Sequence, residues 1–246
     1  MSFVVDDAHH GTEENVWLSA FEKSTTVEWA WGTPRRVVIL APHPDDEVLA
    51  LGGSLMRLAR RRCRVDVIAV TQGERSHPRS RRRSPQEIAH LRRDERSSAL
   101  AALGLSGARV TELAVPDGRV ASETKLVDRI APLIAGATYC IAPWQRDGHP
   151  DHDATGAAAA AACKATGVRL LEYVIWAWHW ADPSAPDFPW SRLRKVSLRS
   201  DEHAAKIAAI EAYRSQIRPL ATDEPEVILP PSVLARFQRS FEAVLL

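Results

Sequence analysis

Two short segments about a hundred residues apart hold the side chains best able to do chemistry: Ala41-Pro42-His43-Pro44-Asp45-Asp46-Glu47 and Gly148-His149-Pro150-Asp151-His152-Asp153. Each gathers imidazoles and carboxylates around a proline. Two neutral imidazoles and a carboxylate make a divalent-metal site, and the groups left over can move protons. His43 and Asp46 are three apart, as are His149 and His152, so within each segment both side chains can face one point at a turn into a helix. A catalytic zinc takes three protein ligands and keeps a fourth position for water, whose pKa falls to about 7. A carboxylate beside that water would accept its proton, and an imidazole opposite would protonate a leaving amine. The same residues also suit plain structural work, with His43 or Asp46 capping a helix and His149 sitting in a loop. Their joint placement at two strand ends favours a site for metal-dependent hydrolysis.

The elements that must position these segments read as alternating strands and helices. Arg36–Ala41 is a short apolar run rich in β-branched residues, followed by an amphipathic stretch from Glu47 to Arg62. Val65–Thr71 is a second strand, with a polar loop and a helix from about Pro85 to Leu103 after it. Arg109–Val115 is a third, followed by a helix over Ser122–Ala135; Tyr139–Pro143 is a fourth, leading into the Ala-rich helix Ala154–Thr166. Beyond Arg169 the pattern loosens. It predicts a strand over Leu170–Trp178, a short one at Val196–Leu198, a helix over Asp201–Ile217 with Asp201 as N-cap, and a last helix from about Ser232 to Leu245. Such alternation predicts an α/β protein: one Rossmann-like domain, three-layer α/β/α, around a mostly parallel sheet. Residues 1–34, polar and acidic with Trp17, Trp29 and Trp31, read as an N-terminal extension packed on a domain of residues 35–246, its first ten or so residues frayed. In open parallel sheets ligands bind beyond the strands' carboxyl ends. Those ends carry His43 to Asp46, then Gln72-Gly73-Glu74, Asp117-Gly118, and Asp147-Gly148-His149. Four strand ends converge on one site.

The bulk numbers exclude several classes. A chain of 246 residues can bury one substantial core, and 45% hydrophobic, 26% charged and net charge +1 suit a soluble globular protein. Near-neutral charge gives no general pull toward nucleic acid or anionic membranes. The N-terminus lacks the basic and apolar regions of a signal peptide, and no apolar run approaches the about 18–20 residues of a membrane span. Cys63, Cys140 and Cys163 show no CxxC and no pairing pattern. The expectation is a cytoplasmic protein with no membrane span and no nucleic-acid partner.

The two motifs together resemble those of the LmbE-like (PIG-L) family of metal-dependent N-deacetylases, which act on N-acetylglucosamine-type amino sugars. Arg92-Arg93-Asp94-Glu95 ahead of Ala99–Gly104 resembles the family's Arg-x-x-Glu helix, Val115-Pro116-Asp117-Gly118 its Asp turn, and Lys206 with Tyr213-Arg214-Ser215-Gln216 its C-terminal helix. The resemblance runs from Arg36 to Gln216. It implies that His43, Asp46 and His152 hold zinc, with iron(II) the alternative, and that Asp45 is the general base. It implies further that His149 stabilises the oxyanion or protonates the leaving amine, with Asp151 orienting it. Arg92 and Asp117 would contact the sugar or its aglycone, with Glu74 and Asp147 on the same substrate side. Some members have a tyrosine two residues before the position of His149; this chain has Asp147 there. The implied partner is a small amino-sugar conjugate.

Other features carry less. Eight arginines between Arg75 and Arg96 read as a solvated loop, or as a lid that greets an anionic part of the substrate. Trp176, Trp178 and Trp180 alternate at strand spacing and suit core packing, a homo-oligomer contact or sugar stacking. Gly52 and Gly53 lack nucleotide-loop spacing and suit close helix packing. A two-histidine, one-carboxylate iron(II) oxygenase site would use the same atoms, but its usual all-β hosts do not match this alternation. A binding module on the same fold would not require Asp45 and His149.

Overall fold

In the computed structural model, which describes residues 11–246, the apolar runs pair as one eight-stranded sheet with helices on both faces. The chain opens with α1 (Glu14–Lys23) and a two-residue strand, β1 (Val27–Glu28), then enters β2 (Arg36–Ala41), α2 (Asp46–Arg60), β3 (Arg64–Ala69) and α3 (Pro85–Ala102). β4 (Arg109–Glu112), α4 (Leu126–Ile134), β5 (Tyr139–Pro143), α5 (Pro150–Thr166) and β6 (Arg169–Tyr173) continue the alternation. The last third holds α6 (Ala177–Trp180), β7 (Leu193–Ser197), α7 (Ser200–Glu211), α8 (Arg214–Ile217), α9 (Pro231–Leu234) and β8 (Phe241–Leu245).

The strand order is β1-β7-β8-β6-β5-β2-β3-β4. Only β8 runs antiparallel to its neighbours, β6 and β7. From β2 the chain crosses to β3 on one side and later returns to β5 on the other. The carboxyl ends of β2 and β5 therefore meet where the winding reverses, the crevice in which open α/β sheets bind ligands. Both sequence motifs leave the sheet at that crevice.

Side-chain alternation along β2 builds two cores. Val37, Ile39 and Ala41 join a cluster that includes Leu51, Leu55, Leu58, Ala99 and Ile210 from α2, α3 and α7. Val38 and Leu40 face the opposite cluster, with Ile130, Ile134, Ala159 and Ala162 from α4 and α5. Buried on both faces, the central strands need the continuous apolar runs they have. Residues 11–34 contribute to the first core: Trp17 and Trp31 are buried, and the Trp17 indole donates to the Trp178 carbonyl at 2.7 Å. The expected fraying of the first ten residues lies outside the described residues. Cys63, Cys140 and Cys163 are buried and free. No helix among the described residues is long and apolar enough to cross a membrane.

Three expectations fail in the last third. The strand predicted over Leu170–Trp178 stops at Tyr173, because the Asp147 carboxylate accepts the successive N–H groups of Ile175, Trp176 and Ala177 at 2.9, 3.0 and 3.1 Å and curls the chain into α6. Trp176 and Trp180 then lie one helical turn apart with stacked rings, while Trp178 turns into the core against Trp17. The helix predicted from Ser232 to Leu245 is one turn, α9, a 3₁₀ turn over Ala235–Phe237, and then strand β8. A strand slot between β6 and β7, burying Val244 and Leu245, outweighs local helix propensity there. The helix expected over Asp201–Ile217 starts at Ser200 with Arg199 as its cap and breaks after Glu211; Asp201 instead pairs with Arg60.

α5, which carries the second motif, lies close on the end of β5. A Cβ at Gly156 would come within 2.4 Å of the Pro143 carbonyl and 3.1 Å of the Gln145 nitrogen. Gly156→Ala is expected to destabilise the protein by about 1–3 kcal/mol, as overpacking does. Urea denaturation measures this, and a loss below about 0.5 kcal/mol would contradict the close packing.

Candidate active site

β2 ends at Ala41, and the chain turns through His43 and Pro44 into α2. Asp45 stands at the helix N-cap with φ 120° and ψ −30°, a conformation that disfavours any residue with a Cβ and costs on the order of 1–3 kcal/mol. Asp46 opens the helix, and its Oδ2 accepts the His43 N–H at 2.8 Å. On the neighbouring strand end, His149 is the N-cap of α5, Pro150 its first residue, and His152 lies in its first turn. A proline suits that place because the first helical N–H has no partner to lose.

Three donor atoms from these turns form a triangle. His43 Nδ1 lies 3.3 Å from His152 Nε2, His152 Nε2 lies 3.3 Å from Asp46 Oδ2, and His43 Nδ1 lies 3.6 Å from Asp46 Oδ2. Ligand atoms about 2.0–2.2 Å from a tetrahedral ion stand about 3.3–3.6 Å from one another. The donor set and its spacing thus fit a small divalent cation. His43, His149 and Asp151 form a second, overlapping group able to hold a metal.

Carboxylates brace the outer nitrogens of both ligand-type imidazoles. His152 Nδ1 lies 2.9 Å from Asp147 Oδ2. His43 Nε2 lies 3.3 Å from both Asp117 Oδ1 and Asp151 Oδ2. Such partners fix ring orientation and raise ligand basicity. Asp147, expected on the substrate side, is completely buried, and it orients His152 while folding the turn into α6. Asp151, expected to orient and tune His149, turns its carboxylate to His43 and to the N–H groups of Gly118 and Val120 at 2.7 and 3.1 Å. Its own N–H donates to His149 Nδ1 at 3.2 Å. That bond leaves the proton of a neutral His149 on Nε2.

Arg92 and Glu74, both expected on the substrate side, are held by the protein's own groups, and Arg92 also lines the cavity. The Arg92 guanidinium is buried and donates to the Gly73 and Pro44 carbonyls at 3.1 and 2.5 Å and to Asp45 Oδ2 at 3.0 Å. At Gly73, φ is +64° and a Cβ would fall 2.0 Å from that guanidinium, so any other residue there is strained and must displace Arg92. Glu74 accepts the Asp117 N–H at 2.8 Å, and Asp117 Oδ2 accepts the Arg75 N–H at 2.9 Å, which locks these two loops together. The arginine-rich stretch is no single element. Arg92 and Arg96 are buried on α3, Arg82 pairs with Asp223, and only Arg75 and Arg92 line the cavity.

That cavity, of about 140 Å³, has His43, Asp45, Asp46, His149, Asp151 and Asp117 in its wall. A larger groove, between α1 and residues 182–191, holds none of these groups. Arg75, Ser76 and Gln216 extend the polar wall, and Leu49, Ile175, Trp176, Ile228 and Leu229 form an apolar side. Sequence reasoning missed that apolar side. The Trp pattern was its one visible signal, and Trp176 does stack on His149, with ring centroids 6.0 Å apart.

Burial and charge set the proton affinities. Burial pushes Asp45 up to about 8 against the pull of Arg92. Burial alone would raise Asp46 too, but His152 and His43 hold it well below the usual carboxylate range. Burial would lower His152, yet Asp46 and Asp147 raise it to about 9; His43 is raised likewise by Asp117, Asp151 and Asp46. His149 is lowered by burial and by the His43 and His152 charges.

The fold and the site define an α/β protein with a two-histidine, one-carboxylate metal-type centre at the switch point of a doubly wound sheet. Residues 38–163 match the PIG-L family, described as GlcNAc-PI de-N-acetylase, and the chain belongs to that family. It is 34% identical over 88 residues to a 1D-myo-inositol 2-acetamido-2-deoxy-alpha-D-glucopyranoside deacetylase from Kineococcus radiotolerans, covering 35% of this chain and 24% of that one. It is 30% identical over 131 residues to a probable N-acetyl-alpha-D-glucosaminyl L-malate deacetylase 2 from Bacillus cereus, covering 50% and 59%. The matches thus span less than two thirds of these curated relatives. The fold is similar to that of the N,N'-diacetylchitobiose deacetylase from Pyrococcus horikoshii, with TM-score 0.61, 20% identity, and 77% and 72% of the two chains covered.

Two outcomes follow from this geometry. Asp147→Ala removes the brace on His152 and is expected to weaken zinc binding by about 10–100-fold, as loss of such partners does; competition with a chromophoric chelator reads this, and undiminished affinity would refute the bracing role. In the metal-free protein the raised His43 and His152 hold protons at neutral pH, and an entering ion must displace them. Apparent affinity should therefore rise with pH toward about 9, by about tenfold per unit for each proton displaced. Calorimetry in two buffers of different ionisation enthalpy counts those protons, and a count of zero contradicts the assignment.

Proposed function

We propose that this protein is a divalent-metal-dependent N-deacetylase that removes an N-acetyl or related N-acyl group from a small N-acetylglucosamine-type sugar conjugate. The observation that carries the reading is the donor triangle of His43, Asp46 and His152, with Asp45 and His149 in the same cavity wall. Family membership and the names of the curated relatives support the amide bond and the amino sugar.

Zinc suits the two nitrogens and one oxygen, and iron(II) suits the same open set. Bound there, the ion would polarise the amide carbonyl and lower the pKa of a coordinated water to about 7. Asp45 takes the proton of the attacking water; the dryness that raises its pKa makes it a stronger base than an ordinary carboxylate. Arg92 holds the Asp45 carboxylate in place and limits that rise. His149, neutral and protonated on Nε2, gives a hydrogen bond to the oxyanion, and the proton gathered by Asp45 is returned to the leaving nitrogen. Asp117, at the cavity wall, contacts the sugar, with Arg75 and Ser76 beside it.

Metal analysis of the purified protein, with amine release scored over a panel of N-acetylglucosaminyl compounds, tests the reading. Metal-replete enzyme that releases no amine from any of them would sink it. Asp45→Asn is expected to lower kcat by about 10²–10⁴-fold with metal content unchanged. Asp45 acts ionised, so activity rises as pH passes its pKa. Arg92→Gln removes the cation that favours ionisation, and the acidic limb of kcat/KM should move up by about one to two units. A limb that stays in place or moves down would dissociate Arg92 from Asp45.

A further inference from the structure

α2 is two helices joined at a break. Leu51 has φ −139° and ψ 24°, outside helical values. A break of this kind frees carbonyls before it and N–H groups after it. Here two buried charges meet one of these carbonyls and two of these N–H groups. Glu242, from β8, accepts the Gly53 N–H through Oε1 and the Ser54 N–H through Oε2, each at 2.9 Å, as a cap would. Lys206, from α7, lies 3.0 Å from Glu242 Oε1 and donates to the Ala50 carbonyl at 3.4 Å. Both side chains are buried, at 1% and 3% exposure. Gly52 makes the approach fit: a Cβ there would stand 3.2 Å from Lys206 Cγ. The short segment ahead of the break carries Asp46 and Glu47, and Glu47 Oε1 accepts the Tyr213 hydroxyl at 2.9 Å.

We propose that Lys206 and Glu242 are positioning residues for the metal centre: by holding the break in α2 they set the direction from which Asp46 meets His43 and His152. Stability alone is a poor account of the pair. A buried ion pair replaced by apolar residues of similar volume often leaves a protein as stable or more so. A straight α2 would bring its first turn in along another line, with Asp46 displaced from the triangle. The inference rests on His43, Asp46 and His152 being the ligands.

The test uses the full chain. Lys206→Met/Glu242→Met removes both charges together, so neither is left buried alone, and it also removes both caps of the break. Zinc affinity is read by chelator competition, coordination by the visible absorption of the cobalt(II)-loaded protein, and folding by the urea midpoint. The expected result is a folded double variant whose zinc affinity falls about 10–100-fold, with a changed cobalt(II) spectrum. Lys206→Arg, which can still bridge Glu242 and Ala50, should keep both near wild type. Wild-type zinc affinity and spectrum in the folded double variant would overturn the proposal. Should that variant not fold, Lys206→Met/Glu242→Gln, which leaves no charge buried alone and keeps one oxygen for the Gly53 and Ser54 N–H groups, takes its place, and unchanged zinc affinity and cobalt(II) spectrum there overturn it equally. Wild-type protein that binds neither metal would instead bring down the ligand assignment and the positioning role with it.

Discussion

Two imidazole nitrogens and a carboxylate oxygen held 3.3–3.6 Å apart in the interior are a costly arrangement, and much of the surrounding structure answers to it. Buried charges need partners, or the desolvation penalty of several kcal/mol per ion stands uncompensated. Without an ion the carboxylates Asp46, Asp117, Asp147 and Asp151 raise His43 and His152 despite their burial, so the triangle holds protons instead. The carboxylates that brace them are buried too and must be satisfied in turn. Asp147 recruits three backbone N–H groups, Asp151 two, and Asp117 one from Arg75. Those N–H groups belong to the segments that follow β6, β4 and β3. The loops around the cavity are thus folded by the same carboxylates that orient the histidines.

This dependence explains where the chain departs from easy geometry. Asp45 tolerates φ 120° because both its ends are pinned: its carbonyl accepts the Val48 and Leu49 N–H groups, and its side chain meets Arg92. The break in α2 is likewise held from two remote elements, α7 and β8. In each case a locally unfavourable conformation persists because long-range contacts over-determine it.

The central part of the fold could be read in advance because its signals are local. β2, β3 and β5 are buried on both faces and so are continuous apolar runs, and the motifs sit at their ends. The histidines and Asp46 could be paired because adjacent strand ends in a doubly wound sheet must meet. The last third could not be read this way. β8 is a strand because a slot between β6 and β7 exists, which no property of residues 241–245 records. α6 exists because a carboxylate thirty residues earlier gathers its N–H groups. Asp147 itself stood out in the sequence, but its direction did not: whether it faces the cavity or the back of His152 depends on that same turn. Arg92 was visible too, but its bond to Asp45 was not, since that reach depends on the close approach of Gly73 and on how α3 lies on the sheet.

The group assigned to carry the proton and the group assigned to hydrogen-bond the oxyanion are shifted by one common cause. Burial favours the uncharged form of each, so it raises Asp45 and lowers His149. A carboxylate raised in this way binds a proton more tightly than one in water, while an imidazole lowered in this way stays neutral and keeps an N–H to donate. Opposite shifts on neighbouring groups separate an acceptor from a donor at one pH. The apolar side of the cavity, Leu49, Ile175, Trp176, Ile228 and Leu229, supplies part of that dryness, and Trp176 stacks directly on His149. Replacing that wall with polar groups would bring both pKa values back toward their ordinary range, with every ligand and brace untouched. In the proposed reaction, then, the residues that touch no reacting atom from the apolar side are what make an ordinary aspartate and histidine fit for the work.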